Sequence, residues 1–295
     1  VTGFLDRIRG GEILLGDGAI GTLLMERGLQ PGQCPEAIVI ERPEVLAEIG
    51  ALYVEAGAEI LTTNTFGGSP LKLRGYSLDP DTEKINTRAV EILRDVAKDR
   101  AHIAGCVGPC GAILEPYGDT DESVVYESFE RQMRALAAGG ADAVYIETMT
   151  DLREASLAVK AAKQIAPELP VVATMTFDPT PRGYFTIMGV SISQAATGLE
   201  EAGADIVGSN CGNGIANMVE IAREFKQRSR LPIIIQANAG LPEHRAGEVV
   251  YPETPEFMAQ CIPDLIEIGV AVTGGCCGTT PDHIRAMRRA LDDRS

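Results

Sequence analysis

No apolar run in this sequence approaches the roughly 18 residues that suggest a membrane-crossing helix, so no membrane span is expected. Positive charge is scarce. Lys and Arg total 26 against 42 Asp and Glu, a formal net charge of -16. Such a surface repels nucleic-acid backbones and anionic lipid heads, which removes nucleic acid and membranes from the expected partners. A tidy disulfide framework is missing as well. The seven cysteines, Cys34, Cys106, Cys110, Cys211, Cys261, Cys276 and Cys277, are an odd set, and 295 residues bury a sizeable core without staples. Reduced thiols and a cytoplasmic location are the expectation. The first residues carry Asp6, Arg7 and Arg9 and no apolar core, so no secretory leader is expected. Histidine is sparse: His102, His244 and His283 have no partner at a short metal-binding spacing.

What is present is a regular alternation. Eight short β-rich runs begin at Ile13, Glu59, His102, Ala143, Val171, Asp205, Ile233 and Val270. Several are apolar on both faces, as buried parallel strands are. Between them lie stretches with apolar residues at three-to-four spacing, the helical signature: Pro43 to Ala56, Thr82 to Lys98, Glu122 to Ala138, Leu152 to Ala166, Ser191 to Ala202, Ile215 to Gln227 and Pro255 to Ile268. A weak repeat marks helix-to-strand joints: Ala56-Gly57-Ala58-Glu59-Ile60, Gly139-Gly140-Ala141-Asp142-Ala143 and Ala202-Gly203-Ala204-Asp205-Ile206. Glycine there suits a left-handed helix cap. The pattern predicts one α/β domain over residues 1–295, a (β/α)8 TIM barrel, with a doubly wound open sheet as the rival. Long excursions over 67–81, 109–122, 177–189 and 239–255 all follow strands, which in a barrel places them on the face that carries chemistry.

Three cysteines fall at strand ends: Cys211 after the sixth run, Cys276 and Cys277 after the eighth. Adjacent cysteines on a regular strand point to opposite faces, so both reach one point only if the chain turns there. Gly275 and Gly278 permit that turn. Three thiolates at one point repel without a cation. Zinc accepts sulfur in a tetrahedron, and three protein ligands leave its fourth position open, the arrangement of a catalytic site. The alternative, three ordinary core cysteines, stays open on spacing alone.

The motifs Gly16-Asp17-Gly18-Ala19-Ile20-Gly21-Thr22, Thr63-Asn64-Thr65-Phe66, Ile146-Glu147-Thr148, Asn210-Cys211, Asn238-Ala239-Gly240 and Gly274-Gly275-Cys276-Cys277-Gly278-Thr279-Thr280-Pro281 give the chain a resemblance to the homocysteine S-methyltransferase family. They run in family order over nearly the whole chain. The wording looks closest to the homocysteine-binding barrel of cobalamin-dependent methionine synthase. The resemblance implies a zinc enzyme that methylates homocysteine to methionine, with Cys211, Cys276 and Cys277 as both metal ligands and catalytic centre. It implies that Asp17 and Glu147 hold the homocysteine amino group, since an ammonium wants a carboxylate. Each has a plainer reading, Asp17 as a turn former and Glu147 as a cap for the helix near Asp151. Asn64 and Asn238 are candidates for substrate contact or for loop hydrogen bonding. Asn238 is also a candidate oxygen ligand before substrate arrives, because the tyrosine that the betaine enzymes place after the second strand is Gly67 here. The expected donor is methylcobalamin presented by a separate corrinoid protein. The alternatives are S-methylmethionine, S-adenosylmethionine or a betaine-like donor, another thiol acceptor, or a zinc-binding barrel without turnover. Cys106 and Cys110 are expected to be buried or loop thiols. Arg182 is either an anion contact or a solvated loop residue.

Overall fold

A computed structural model describes residues 3–245 and 248–293. Eight parallel strands form one sheet: β1 (Leu14–Leu15), β2 (Ile60–Thr62), β3 (His102–Val107), β4 (Ala143–Met149), β5 (Val171–Met175), β8 (Ile206–Asn210), β9 (Ile233–Ala237) and β12 (Val272–Gly275). Two short antiparallel hairpins lie outside it, β6 (Asp178–Thr180) with β7 (Gly183–Phe185) and β10 (Glu243–Arg245) with β11 (Glu248–Val250). Around the sheet the order is β1-β12-β9-β8-β5-β4-β3-β2. The seam between β2 and β1 is joined by one bridge, Gly16 to Ile60, with Glu59 N donating to Leu15 O and Asp17 N to Ile60 O. The sheet is therefore a nearly closed barrel, and the open-sheet alternative is excluded.

The strands read as apolar on both faces because each is covered twice. One set of residues, Leu14, Ile60, Ala104, Tyr145, Val172, Ile206, Ile234 and Val272, fills the barrel interior. Phe4 and Ile8 of the helix Phe4–Arg9 pack into the same cluster. The other set faces the outer helices in a second, larger cluster. Six of the seven predicted helices form, with ends within two residues of those read from the sequence. The joints use glycine as expected: Gly57, Gly140, Gly203 and Gly269 all have positive φ, between 83° and 106°.

The structure corrects three expectations. The helix predicted over Pro255 to Ile268 is two helices, Pro255–Gln260 and Ile262–Ile268, because Pro263 lacks the N–H that would continue the ladder through Cys261. β12 begins at Val272 rather than at Val270. The excursions over 177–189 and 239–255, read as loops, each contain a hairpin. No helix among the described residues is long and apolar enough to cross a membrane.

Candidate metal centre

The three cysteines meet at the C-terminal rim of the barrel, and the backbone there explains how. Cys211 follows β8 in the left-handed region, φ 61°, and Gly212 continues it at 73°. That pair of residues turns the chain inward instead of prolonging the strand. Cys276 and Cys277 follow the last residue of β12 and are held on both sides. Cys276 N donates to Ala237 O at 2.7 Å, and Cys277 O accepts from Ala239 N at 3.0 Å. Glycine is required on either side of the pair. A methyl at Gly275 would lie 2.2 Å from Thr279 Oγ1, and one at Gly278, φ 78°, would lie 2.0 Å from the Tyr251 ring.

The sulfurs of Cys211, Cys276 and Cys277 lie within 4.8 Å of one another. Cys211 and Cys277 Sγ are 3.8 Å apart. Tetrahedral zinc with Zn–S bonds of about 2.3 Å needs sulfurs about 3.8 Å apart, which the Cys211–Cys277 pair matches and Cys276 approaches. The closeness of Cys276 and Cys277 holds the Cys211 thiol well below its ordinary pKa, while that same sharing pushes theirs up. Three sulfurs packed this closely suit a cation among them. Asn238 hydrogen-bonds Cys211, and its buried Oδ1 has no partner among the described residues.

The cysteines form one wall of a cleft of about 330 Å³, within the range of small-molecule sites. Asp17, Glu36 and Glu147 line it, with Met25, Phe66 and Tyr251 around them and, among the described residues, no lysine or arginine. Burial pushes the Asp17 carboxyl up to about 8, against the opposing hydrogen bonds from Thr62. Burial likewise raises Glu147, to about 7. A wider hollow of about 440 Å³ opens at the other end of the barrel beside Phe4 and His102, but no metal-binding cluster lies there among the described residues.

Asp17, Asn64 and Glu147 all reach the cleft. Asp17 also braces the seam, accepting from Thr62 N at 2.8 Å and from its hydroxyl at 3.1 Å. Glu147 does not cap the following helix; Asp151 does, by accepting from Arg153 N. Asn64 spends its amide nitrogen on Pro35 O at 2.7 Å, and Asn238 does not line the cleft. Arg182 stacks over Phe185 at 5.6 Å on the outer hairpin and lines no part of the cleft. Cys106 is buried, as expected, yet it too lines the cleft. Sequence reasoning missed Glu36, Phe66 and Tyr251. Glu36 gave no signal along the chain; the fold buries it to 4% exposure and reveals its partner, Gly67 N at 2.6 Å.

Comparison with known proteins points one way. The family model described as homocysteine S-methyltransferase matches residues 14–291. Methionine synthase of Mycobacterium leprae is 35% identical over 95% of this chain, and that of Mycobacterium tuberculosis 33%. The chain spans about a quarter of the length of these curated relatives: 24% and 25%. Among solved structures, the metallated form of the homocysteine methyltransferase MmuM from Escherichia coli superposes with a TM-score of 0.78, at 23% identity and 96% coverage of both chains, a likeness of fold.

Proposed function

The chain belongs to the homocysteine S-methyltransferase family, and on that premise we propose that it moves a methyl group onto the thiol of homocysteine to give methionine. The observation that carries this reading is the gathering of three cysteine sulfurs within 4.8 Å of one another on the wall of a cleft that also presents carboxyl groups. Cys211, Cys276 and Cys277 would hold the ion, and residues 1–295 act as one homocysteine-binding module. Bound zinc supplies a Lewis acid that keeps a coordinated thiol deprotonated at neutral pH.

The chain's own residues do the rest. Asp17 and Glu147 take the substrate ammonium, in their ionised forms, and so orient the sulfur toward the cysteines. Phe66 and Tyr251 narrow the mouth and limit water. The thiolate sulfur attacks the donor methyl carbon. A carbon–sulfur bond forms, and the donor leaves with the electron pair of the bond that breaks.

For the donor, the cleft wall supports a small onium compound, such as S-methylmethionine, above the methyl-corrinoid protein that the sequence wording favoured. Two aromatic rings and an acidic wall, with no lysine or arginine among the described residues, favour a cation over an anion there. The identity with methionine synthase over 95% of the chain supports the methionine product and keeps methylcobalamin as the second reading. A donor screen decides. Zinc-loaded protein and homocysteine are mixed with S-methylmethionine, S-adenosylmethionine, a betaine or a methyl-corrinoid protein, and methionine is measured. Methionine from an onium donor is expected. No methionine from any donor, together with no zinc-dependent homocysteine binding, would leave a barrel without turnover.

A further inference from the structure

Glu147 stands where β4 loses its regularity. The register with β5 shifts between Ile146 and Met149, and Thr148 adopts a left-handed φ of 60°. Irregularities of this kind re-aim side chains, but they do not fix a carboxylate about its own torsions. Two side chains touch it. Asn210 Nδ2 lies 3.4 Å from Oε2, and that same nitrogen donates to Thr148 Oγ1 at 2.8 Å. The shorter contact comes from Cys106, whose sulfur donates to Oε1 at 2.7 Å.

The support under Cys106 is rigid. It is a β3 residue paired with Tyr145. Its N–H donates to Thr63 Oγ1 at 2.9 Å, and its carbonyl accepts from Thr65 Oγ1 at 2.7 Å. The two threonine hydroxyls are 2.6 Å apart and lock each other. Cys106 stands outside the metal cluster. Burial, and then the nearby Glu147 charge, raise its pKa well above the ordinary thiol value, so it keeps its proton and acts as a donor.

We propose that Cys106 is a positioning residue for the acceptor, its thiol holding the Glu147 carboxylate in the orientation that receives the ammonium of homocysteine. The proposal rests on the homocysteine reading above. It assigns the fourth thiol of the cleft to substrate selection and not to metal binding.

The test is calorimetric binding to zinc-loaded protein of two probes, homocysteine and 4-mercaptobutanoate, which has the same thiol and carboxylate without the amino group. Wild type should prefer homocysteine. Cys106→Ala should lose about tenfold in homocysteine affinity, the scale of one hydrogen bond to a charged group. It should bind 4-mercaptobutanoate within about twofold of wild type, since that probe has no ammonium for Glu147 to receive. Cys106→Ser keeps a donor and should recover homocysteine affinity to within about threefold. Zinc per chain, measured on each variant, confirms the fold. Equal losses for both probes would make the role merely structural, and undiminished discrimination in Cys106→Ala would overturn the assignment while leaving the homocysteine reading intact. A wild type that binds both probes equally would overturn the ammonium role of Glu147, and the positioning role with it.

Discussion

At the cleft, two carboxyls are buried deeply enough to hold protons near neutrality, Glu147 to about 7 and Asp17 to about 8. An ammonium binds the ionised forms. Affinity for homocysteine relative to its desamino analogue is therefore expected to rise as pH increases through these values, and Glu147→Gln should flatten that rise. A ratio that falls with pH would contradict the assignment. Glu147→Ala should weaken homocysteine binding by about 2 kcal/mol, the worth of a charge-assisted hydrogen bond, and leave zinc in place. Unchanged affinity on titration would reassign the residue. Asp17, Glu147 and the three cysteines were legible in the sequence because each follows a strand end within a distinctive motif. Glu36 and Tyr251 were not, and Phe66 stood inside the Thr63-Asn64-Thr65-Phe66 motif without being singled out. They reach the cleft from three separate loops, and no spacing along the chain records that meeting.

The strands and most helices followed from periodicity because the barrel covers each strand on both sides and each helix on one. The hairpins escaped notice because their residues, such as Asp178, Pro179 and Thr180, are exposed and carry no alternation. Two elements invite tests. The turn after β12 has no room for a side chain at Gly278. Gly278→Ala must displace Tyr251 or Cys277 and is expected to lower zinc affinity by at least about tenfold, given the strained φ as well. Metal titration against a competing chelator measures it, and wild-type affinity would show that the turn is more compliant than described. At the seam, Glu59 draws together Arg7 at 2.5 Å, Arg288 at 3.0 Å and Leu15 N at 3.2 Å. Glu59→Ala should cost about 2 kcal/mol of stability in urea unfolding, because it strands partly buried arginines. Zinc content should stay at the wild-type level, because these contacts belong to the seam and not to the cysteine triad.

For the molecule as a whole, the two raised carboxyls link the site to stability. Their folded values lie above the ordinary 3.8 and 4.5, so the native state holds more protons than the unfolded chain between about pH 4 and pH 8. Their contribution is therefore fully present below that window and is lost as pH rises through it. Metal-free wild type should lose stability relative to Glu147→Gln between about pH 5 and pH 8 in urea titrations, and a relative gain would contradict the buried-acid description. The excess negative charge of -16 adds self-repulsion over the same range. The proposed chemistry depends on a metal bound by three sulfurs with room for a fourth. X-ray absorption at the zinc edge, before and after homocysteine is added, tests that most directly. The expected result is a shell of three sulfurs and one lighter atom that becomes four sulfurs with substrate; a shell with fewer than three sulfurs, or one that homocysteine leaves unchanged, would contradict it.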